Sequence, residues 1–269
     1  MKYTIGKLAK LLNVSIETIR NYEKLGLISP VRDERNAYRL YNAVDLNVIR
    51  RARAYASCGI PLKQSVDLIL NGDIGDLVST LDQVTQSVSD RIAYDMMLLR
   101  YLELKRNHLN RISAMENRCA VENSPAMYCI IYREGLRFRA DTRHQKLYTA
   151  WDSMRPFTES MFNCSRTFLL GGDYEYSHGL CIEKPFADFF GITESEDVRF
   201  FPSRKCLYAL VAGVYEPQVS KINTAMNLVK RMLDEGGYEI DGDPIGRVVH
   251  TSRSRGTFNH YIETWVPIK

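Results

Sequence analysis

TIRNYEKLGLI, residues 18–28, is the stretch whose reading decides the fold. Ile19 and Leu25 mark an apolar side, Arg20 and Lys24 a basic one, and Gly26 is placed to end a helix. Ser15 stands at the N-cap, with Thr18 at the third position of a capping box. Ile16, Ile19 and Leu25 are expected to face inward. Upstream, TIGKLAKLL (4–12) reads as a helix capped by Thr4, with Ile5, Leu8, Leu11 and Leu12 in one stripe. Asn13-Val14 is the turn between the two. Helix, short turn, helix is the helix-turn-helix pattern.

Downstream, PVRDERNAYRLY (30–41) places a polar turn, RDERNA, between short flanks that can pair as a hairpin. A third helix is expected over 45–57. Cys58-Gly59-Ile60-Pro61 breaks it, and a fourth runs from Pro61 to Leu70. Residues 76–117 then contain no Gly or Pro. Leu77, Leu81, Val84, Val88, Ile92, Leu98, Leu102, Leu109 and Ile112 form a heptad-like seam, interrupted by Arg91 and Asp95. A helix of about 42 residues spans roughly 60 Å, too long for a compact domain to bury, so pairing with a second copy is expected.

Charge and aromatic content divide the chain differently. Residues 1–63 hold 12 Lys and Arg against 5 Asp and Glu, or +7; the whole chain carries +4, leaving −3 for the rest. Both tryptophans, all ten phenylalanines and nine of sixteen tyrosines lie beyond residue 120. A basic head suits a polyanion, because Lys and Arg release the counterions condensed on nucleic acid. No apolar run approaches a membrane span and no secretion signal is read at the N-terminus, so no membrane partner and a cytoplasmic, nucleoid-associated location are expected.

Residues 18–28, the Tyr-Arg-Leu-Tyr at 38–41 and the Gly-Ile-Pro-Leu at 59–62 together resemble the MerR family signature, across residues 1–71. Asn21 departs from the aromatic residue the family often has there. The resemblance implies a homodimer bound to double-stranded promoter DNA. It also implies activation by DNA distortion that aligns the promoter for RNA polymerase holoenzyme. Thr18 and Arg20 would reach the major groove, and Tyr22 would donate its hydroxyl to a phosphate. Arg32, Tyr38 and Arg39 would act on or beside the wing, and Lys63 at a helix start. Leu40 and Tyr41 read as core.

After Asn123-Ser124-Pro125 the pattern changes. MYCIIYR (127–133), RTFLLGG (166–172), GLCIEK (179–184), KCLYALVAGVY (205–215) and NHYIETWVPI (259–268) read as strands. Residues 143–161 and 217–235 read as helices, so strand–helix–strand units occur twice, as in a duplicated α+β domain. This tail resembles the GyrI-like effector-binding domain of multidrug-sensing relatives, most clearly in Tyr-Ile-Glu-Thr-Trp-Val-Pro-Ile at 261–268. Alternation puts Tyr261, Glu263 and Trp265 on one face. A carboxylate between rings suits a lipophilic cation, and Tyr132, Tyr148, Trp151, Phe168 and Tyr208 are further candidates for the pocket.

The class expected is thus α+β and multidomain. A winged helix-turn-helix occupies 1–72, a coiled-coil dimerisation helix 73–120 and a GyrI-like domain 121–269. No cofactor and no metal are expected, because the spacing of Cys119 and Cys129 does not suit a compact soft-metal site. No nucleophile–His–acid set is read, so the chain is not expected to be an enzyme. The alternatives are a GyrI-like small-molecule hydrolase in the tail, and a constitutive repressor whose tail binds a protein.

Overall fold

The computed structural model describes residues 2–34, 38–115, 118–135, 137–169, 176–214, 222–254 and 257–269. The chain divides into two compact units, Met1–Met96 and Met97–Lys269.

In the first unit, β1 (Tyr3–Thr4) leads into α1 (Ile5–Leu12) and α2 (Ile16–Lys24). Thr4 accepts from the amide of Lys7 and Ser15 from that of Thr18, so both expected N-caps are in place. Asn13 takes the left-handed conformation that closes α1, and Gly26, at φ 76°, follows the last turn of α2. β2 (Val31–Arg32) and β3 (Arg39–Tyr41) form the expected hairpin; the tip, 35–37, lies outside the described residues. β1 adds to β3 to complete a three-stranded sheet. α3 (Ala43–Ser57) starts from an Asn42–Asp45 capping box, and α4 (Leu62–Leu70) follows.

Leu8, Leu12, Ile19, Tyr22, Tyr41 and Ile49 anchor one core. Tyr41 is buried as expected. Ile16 and Leu11 are not: Ile16 is 43% exposed, and Leu11 also lies on the surface. Ile19 and Tyr22, three residues apart, share the inward stripe of α2, and Ile16 falls beside it.

α5 (Ile74–Met115) begins in this unit and ends in the other. Its apolar residues divide. Leu77, Val84 and Leu98 are partly buried, whereas Val78, Leu81, Val88, Ile92, Leu99, Leu102 and Leu109 are exposed. These exposed residues step by threes, fours and sevens, the spacing of a heptad seam, with Ile74, Tyr94, Met96 and Leu104 exposed outside that series; the side chain of Ile112 lies outside the described residues.

The second unit contains β4 (Cys119–Asn123), β5 (Met127–Glu134), β6 (Arg137–Phe138), α6 (Thr142–Asp152), β7 (Thr158–Cys164) and α7 (Arg166–Leu169). β8 (Tyr176–Glu183), α8 (Lys184–Phe189), β9 (Val198–Phe201), β10 (Lys205–Val214), α9 (Ile222–Gly236), β11 (Ile245–Ser254) and β12 (Thr257–Pro267) complete it. The strands form one sheet in the order β4-β10-β12-β11-β7-β8-β5-β6, with β9 also on β5.

The duplication read from the sequence has a structural form. With the short β6 and α7 set aside, β5-α6-β7-β8 and β10-α9-β11-β12 have the same element order, and in each the first strand pairs with the last. The halves join where β7 meets β11. At that joint Gly246 lies opposite Phe162, and a Cβ on Gly246 would stand 2.2 Å from the Phe162 ring and 2.6 Å from the Glu263 carbonyl. Only glycine permits that approach.

Two expectations are corrected. The helix expected over 143–161 ends at Asp152, and Thr158–Cys164 is a central strand. Pro156 bars the helix from Arg155. β7 is covered on both faces, so it lacks the two-residue alternation that would announce it. RTFLLGG is not a strand: Arg166–Leu169 is a helical turn, and 170–175 lies outside the described residues.

Candidate nucleic-acid interface and ligand cavity

On the first unit Arg20 and Lys24 project from α2 to solvent, and Arg32, Tyr38 and Arg39 project from the hairpin. Arg20 meets only a loose partner, Glu17 at 3.7 Å, and both are exposed. Arg32 and Arg39 are register partners across the hairpin. Like charges directly opposite one another destabilise a strand pair, and a phosphate between them would turn that cost into attraction. Arg39 is also 3.7 Å from Glu23, whose other oxygen accepts from Tyr41. Lys63 is exposed in the first turn of α4.

Thr18 is half-buried, and its hydroxyl lies 2.9 Å from that of Ser15. Tyr22 departs from the expected phosphate donor. It is 3% exposed and packs in the core, where burial raises its hydroxyl pKa.

The second unit contains a cavity of about 400 Å³. Its chemistry centres on Arg247, which β11 places opposite Glu263 of β12. Arg247 Nε donates to Glu263, and its Nη1 lies 2.6 Å from Glu183 and 3.2 Å from Glu159. The guanidinium also lies over Trp265, 5.3 Å from the ring centroid. Burial alone would lower the Arg247 pKa, but the three carboxylates raise it well above its ordinary value.

α5 closes the other side. Lys105 ion-pairs with Glu159, and the Tyr101 hydroxyl donates to that carboxylate at 3.3 Å. His108 Nε2 sits 2.8 Å from Glu263 Oε2, off the line a hydrogen bond requires. Tyr208 donates to Glu263 at 3.3 Å, and Arg111 lies over the Tyr208 ring while pairing with Glu122. Glu263 is 0% exposed. Burial raises its pKa, yet Arg247 and His108 outweigh burial and leave it below the ordinary carboxylate value. Tyr101, Phe157 and Phe186 form an apolar wall, their centroids 5.3–5.7 Å apart.

Of the expected ligand residues, Trp265 lines the cavity, while Tyr208 and Glu263 are buried outside its lining and joined to it through Arg247 and Arg111. Glu263 is not a bare carboxylate between rings, because Arg247 already pairs with it. Tyr261 packs against the core beneath and lies 5.7 Å from His250. Tyr132 and Tyr148 are 5.0 Å apart in a separate aromatic cluster, and Trp151 is core; none of the three lines the cavity. The side chain of Phe168 lies outside the described residues.

Among the lining residues that sequence reading missed are Tyr101, Lys105, His108, Glu159, Glu183 and Arg247. Tyr101, Lys105 and His108 recur at i, i+4 and i+7, the spacing of one helix face, but the many other polar residues of α5 leave that stripe without contrast. Arg247 was hidden with its strand.

The exposed basic helix and wing define a winged helix-turn-helix domain of the DNA-binding class. Comparison places it more narrowly: residues 4–41 match the MerR family regulatory protein pattern, so the chain carries a MerR-family N-terminal domain. Transcriptional regulator BrlR of Pseudomonas aeruginosa is 23% identical over 192 residues, 69% of this chain and 66% of BrlR. The chain thus spans just under two thirds of that relative. The multidrug-efflux transporter 2 regulator of Bacillus subtilis is 25% identical over 103 residues, 38% of each chain. Among solved structures, EcmrR in an EcmrR–DNA complex is matched over 99% of both chains, with 13% identity and a TM-score of 0.36. Among the described residues no helix is long and apolar enough to cross a membrane.

Proposed function

We propose that this chain is a dimeric transcription regulator that binds promoter DNA and responds to a small lipophilic cation. In this reading 1–72 binds DNA, 73–120 dimerises and 121–269 is a GyrI-like sensor. Thr18, Arg20, Arg32, Tyr38, Arg39 and Lys63 meet the duplex, and RNA polymerase is the partner that reads its distortion.

The observation that carries the reading is one chain holding a MerR-family domain and, apart from it, a cavity lined by the carboxylates of Glu122, Glu159 and Glu183, with the buried Glu263 paired to its Arg247. Glu122, Glu159, Glu183 and Glu263 meet Lys105, Arg111 and Arg247, so four carboxylates face three cations of Lys and Arg, with His108 2.8 Å from Glu263. The rings of Tyr101, Phe157, Phe186 and Trp265 supply apolar and cation–π surface. A cavity of this volume is in the range that holds drug-sized ligands. The name of the multidrug-efflux regulator supports the same kind of effector. The exposed heptad seam of α5 supports the dimer.

Tetraphenylphosphonium, a permanent lipophilic cation, tests the proposal in a purified transcription assay on the chain's own upstream DNA. The expected result is retarded DNA migration with or without the cation, and transcript yield that changes only with it. DNA binding without any response to the cation would overturn the sensing half. Leu102→Asp should give a monomer by sedimentation, and an unchanged dimer would remove α5 as the interface.

A further inference from the structure

Two buried thiols face each other in the sheet of the second unit. Register sets Cys129 of β5 directly opposite Cys181 of β8, and the two are 1% and 2% exposed. The ladder shows which kind of opposition this is. Lys184 N donates to the Ala126 carbonyl at 2.8 Å, and these residues continue the register one step beyond Met127 and Glu183. Bonded and non-bonded pairs alternate along an antiparallel ladder. Cys129 and Cys181 stand three steps further in, so they are a non-hydrogen-bonded pair. Such a pair brings its Cα atoms to about 4.5 Å and its Cβ atoms closer than the bonded kind does. A disulfide takes Cα separations of roughly 4.4–6.8 Å. The backbone therefore already stands where an S–S bond requires it. Among the described residues no other two cysteines are register partners.

The pair is reached from one side. Cys181 lines the cavity, and Cys129 lies outside its lining. Burial, and then the hydrogen bond with Cys181, raise the Cys129 pKa. A buried thiol in apolar surroundings is ordinarily inert. Here the cavity gives a small reagent access to one sulfur, and the second sulfur is held against the first.

We infer that Cys129 and Cys181 form a reversible oxidation site, which a small hydroperoxide entering the cavity converts to a disulfide. The Cys181 sulfur attacks the O–O bond and takes one oxygen as a sulfenic acid; the other leaves as an alcohol, or as water from hydrogen peroxide, with the thiol proton. The Cys129 sulfur then attacks the Cys181 sulfur. The S–S bond forms, the S–O bond breaks, and the hydroxyl departs as water with the Cys129 proton. The two thiols lose two electrons and the peroxide gains them. Glu159, opposite Cys181 on β7, and Glu183, two residues along β8, both line the cavity. Oxidation thus acts on the wall that carries the carboxylates. The inference is independent of which ligand that cavity takes.

Hydrogen peroxide added to the folded full-length protein tests this, with tandem mass spectrometry of non-reduced tryptic peptides as the readout. The expected product is a Cys129–Cys181 link that forms about 10-fold faster than the buried Cys164 and Cys206 thiols are lost, and that dithiothreitol reverses. In Cys129→Ser the reaction should stop at a sulfenic acid on Cys181, trapped by dimedone, whereas Cys181→Ser should leave Cys129 untrapped. No link in the wild type, or loss of Cys129 and Cys181 no faster than of Cys164 and Cys206, overturns the inference. Trapping on Cys129 rather than Cys181 overturns entry by way of the cavity. Should either serine variant fail to fold, the wild-type rates still decide.

Discussion

The basic face of Met1–Met96 and the cavity of Met97–Lys269 both gather arginines, and they treat them in opposite ways. Arg20, Arg32 and Arg39 stay in water, with partners no closer than 3.7 Å among those described, and Arg32 faces Arg39 across a hairpin. Arg247 is buried and grips three carboxylates. A surface meant for a polyanion keeps its cations solvated and only loosely paired, because their value lies in the counterions that the anion releases. A cavity cannot afford an unpaired charge, so its charges come as a mutually dependent set. Single changes on the first should be mild and nearly independent. Single changes in the second should be severe and coupled.

The largest expected effect breaks the set. Arg247→Met leaves Glu159, Glu183 and Glu263 with too little positive charge, and should cost the second unit about 3–5 kcal/mol. Urea unfolding followed by Trp151 and Trp265 fluorescence reads that unit alone, because both tryptophans lie in it. A loss under 1 kcal/mol would show that the carboxylates do not depend on Arg247.

Acidification sharpens the contrast next. All five histidines lie beyond residue 107, so none is in the first unit. Burial, with Arg133 beside it, pushes His178 down to about 4, below its ordinary value. A histidine with a lowered folded pKa favours the fold above its unfolded pKa of about 6.5, and that contribution is lost as pH falls from there toward 4. Between pH 7 and pH 5 the second unit should lose roughly 1–2 kcal/mol that His178→Gln does not lose. The first unit should hold steady over the same interval. An identical pH slope in the variant would remove His178 as the source.

The smallest effects on stability belong to the DNA face. Arg20→Ala should weaken binding by roughly 1–3 kcal/mol and relax sequence preference, if it reads a base. Arg39→Ala should weaken all sequences alike and reduce the salt slope by about 1. Neither should move the unfolding midpoint beyond about 0.5 kcal/mol. Fluorescence anisotropy at several salt concentrations distinguishes them. Equal salt slopes for wild type and Arg39→Ala would remove that phosphate contact.

Legibility in the sequence follows the same division. Thr4, Ser15, Gly26 and the stripe through Leu8, Leu12 and Ile19 are local signals, and the helices they announce are where they should be. Tyr22 misled because its hydroxyl suggests a surface role, whereas its i+3 relation to Ile19 turns it inward. In the second unit β7 and β11 were missed. β7 is covered on both faces, which erases alternation; β11 is so covered only at its start, where it pairs with β7 over Ile245–Arg247 and carries the cavity's central residue.

The sequence by itself determined the helix-turn-helix and wing, the length of α5, the repeated strand–helix–strand order, and the placing of Glu263 and Trp265 on one strand. Those properties rest on capping, turn chemistry and periodicity, which act over a few residues. Only the tertiary structure decided that Glu263 is paired rather than free. Its counter-charge comes from Arg247 on another strand, and His108 reaches it from a helix more than 150 residues earlier. Coulomb energy in a low-dielectric interior depends on separation in space, and separation along the chain does not encode it.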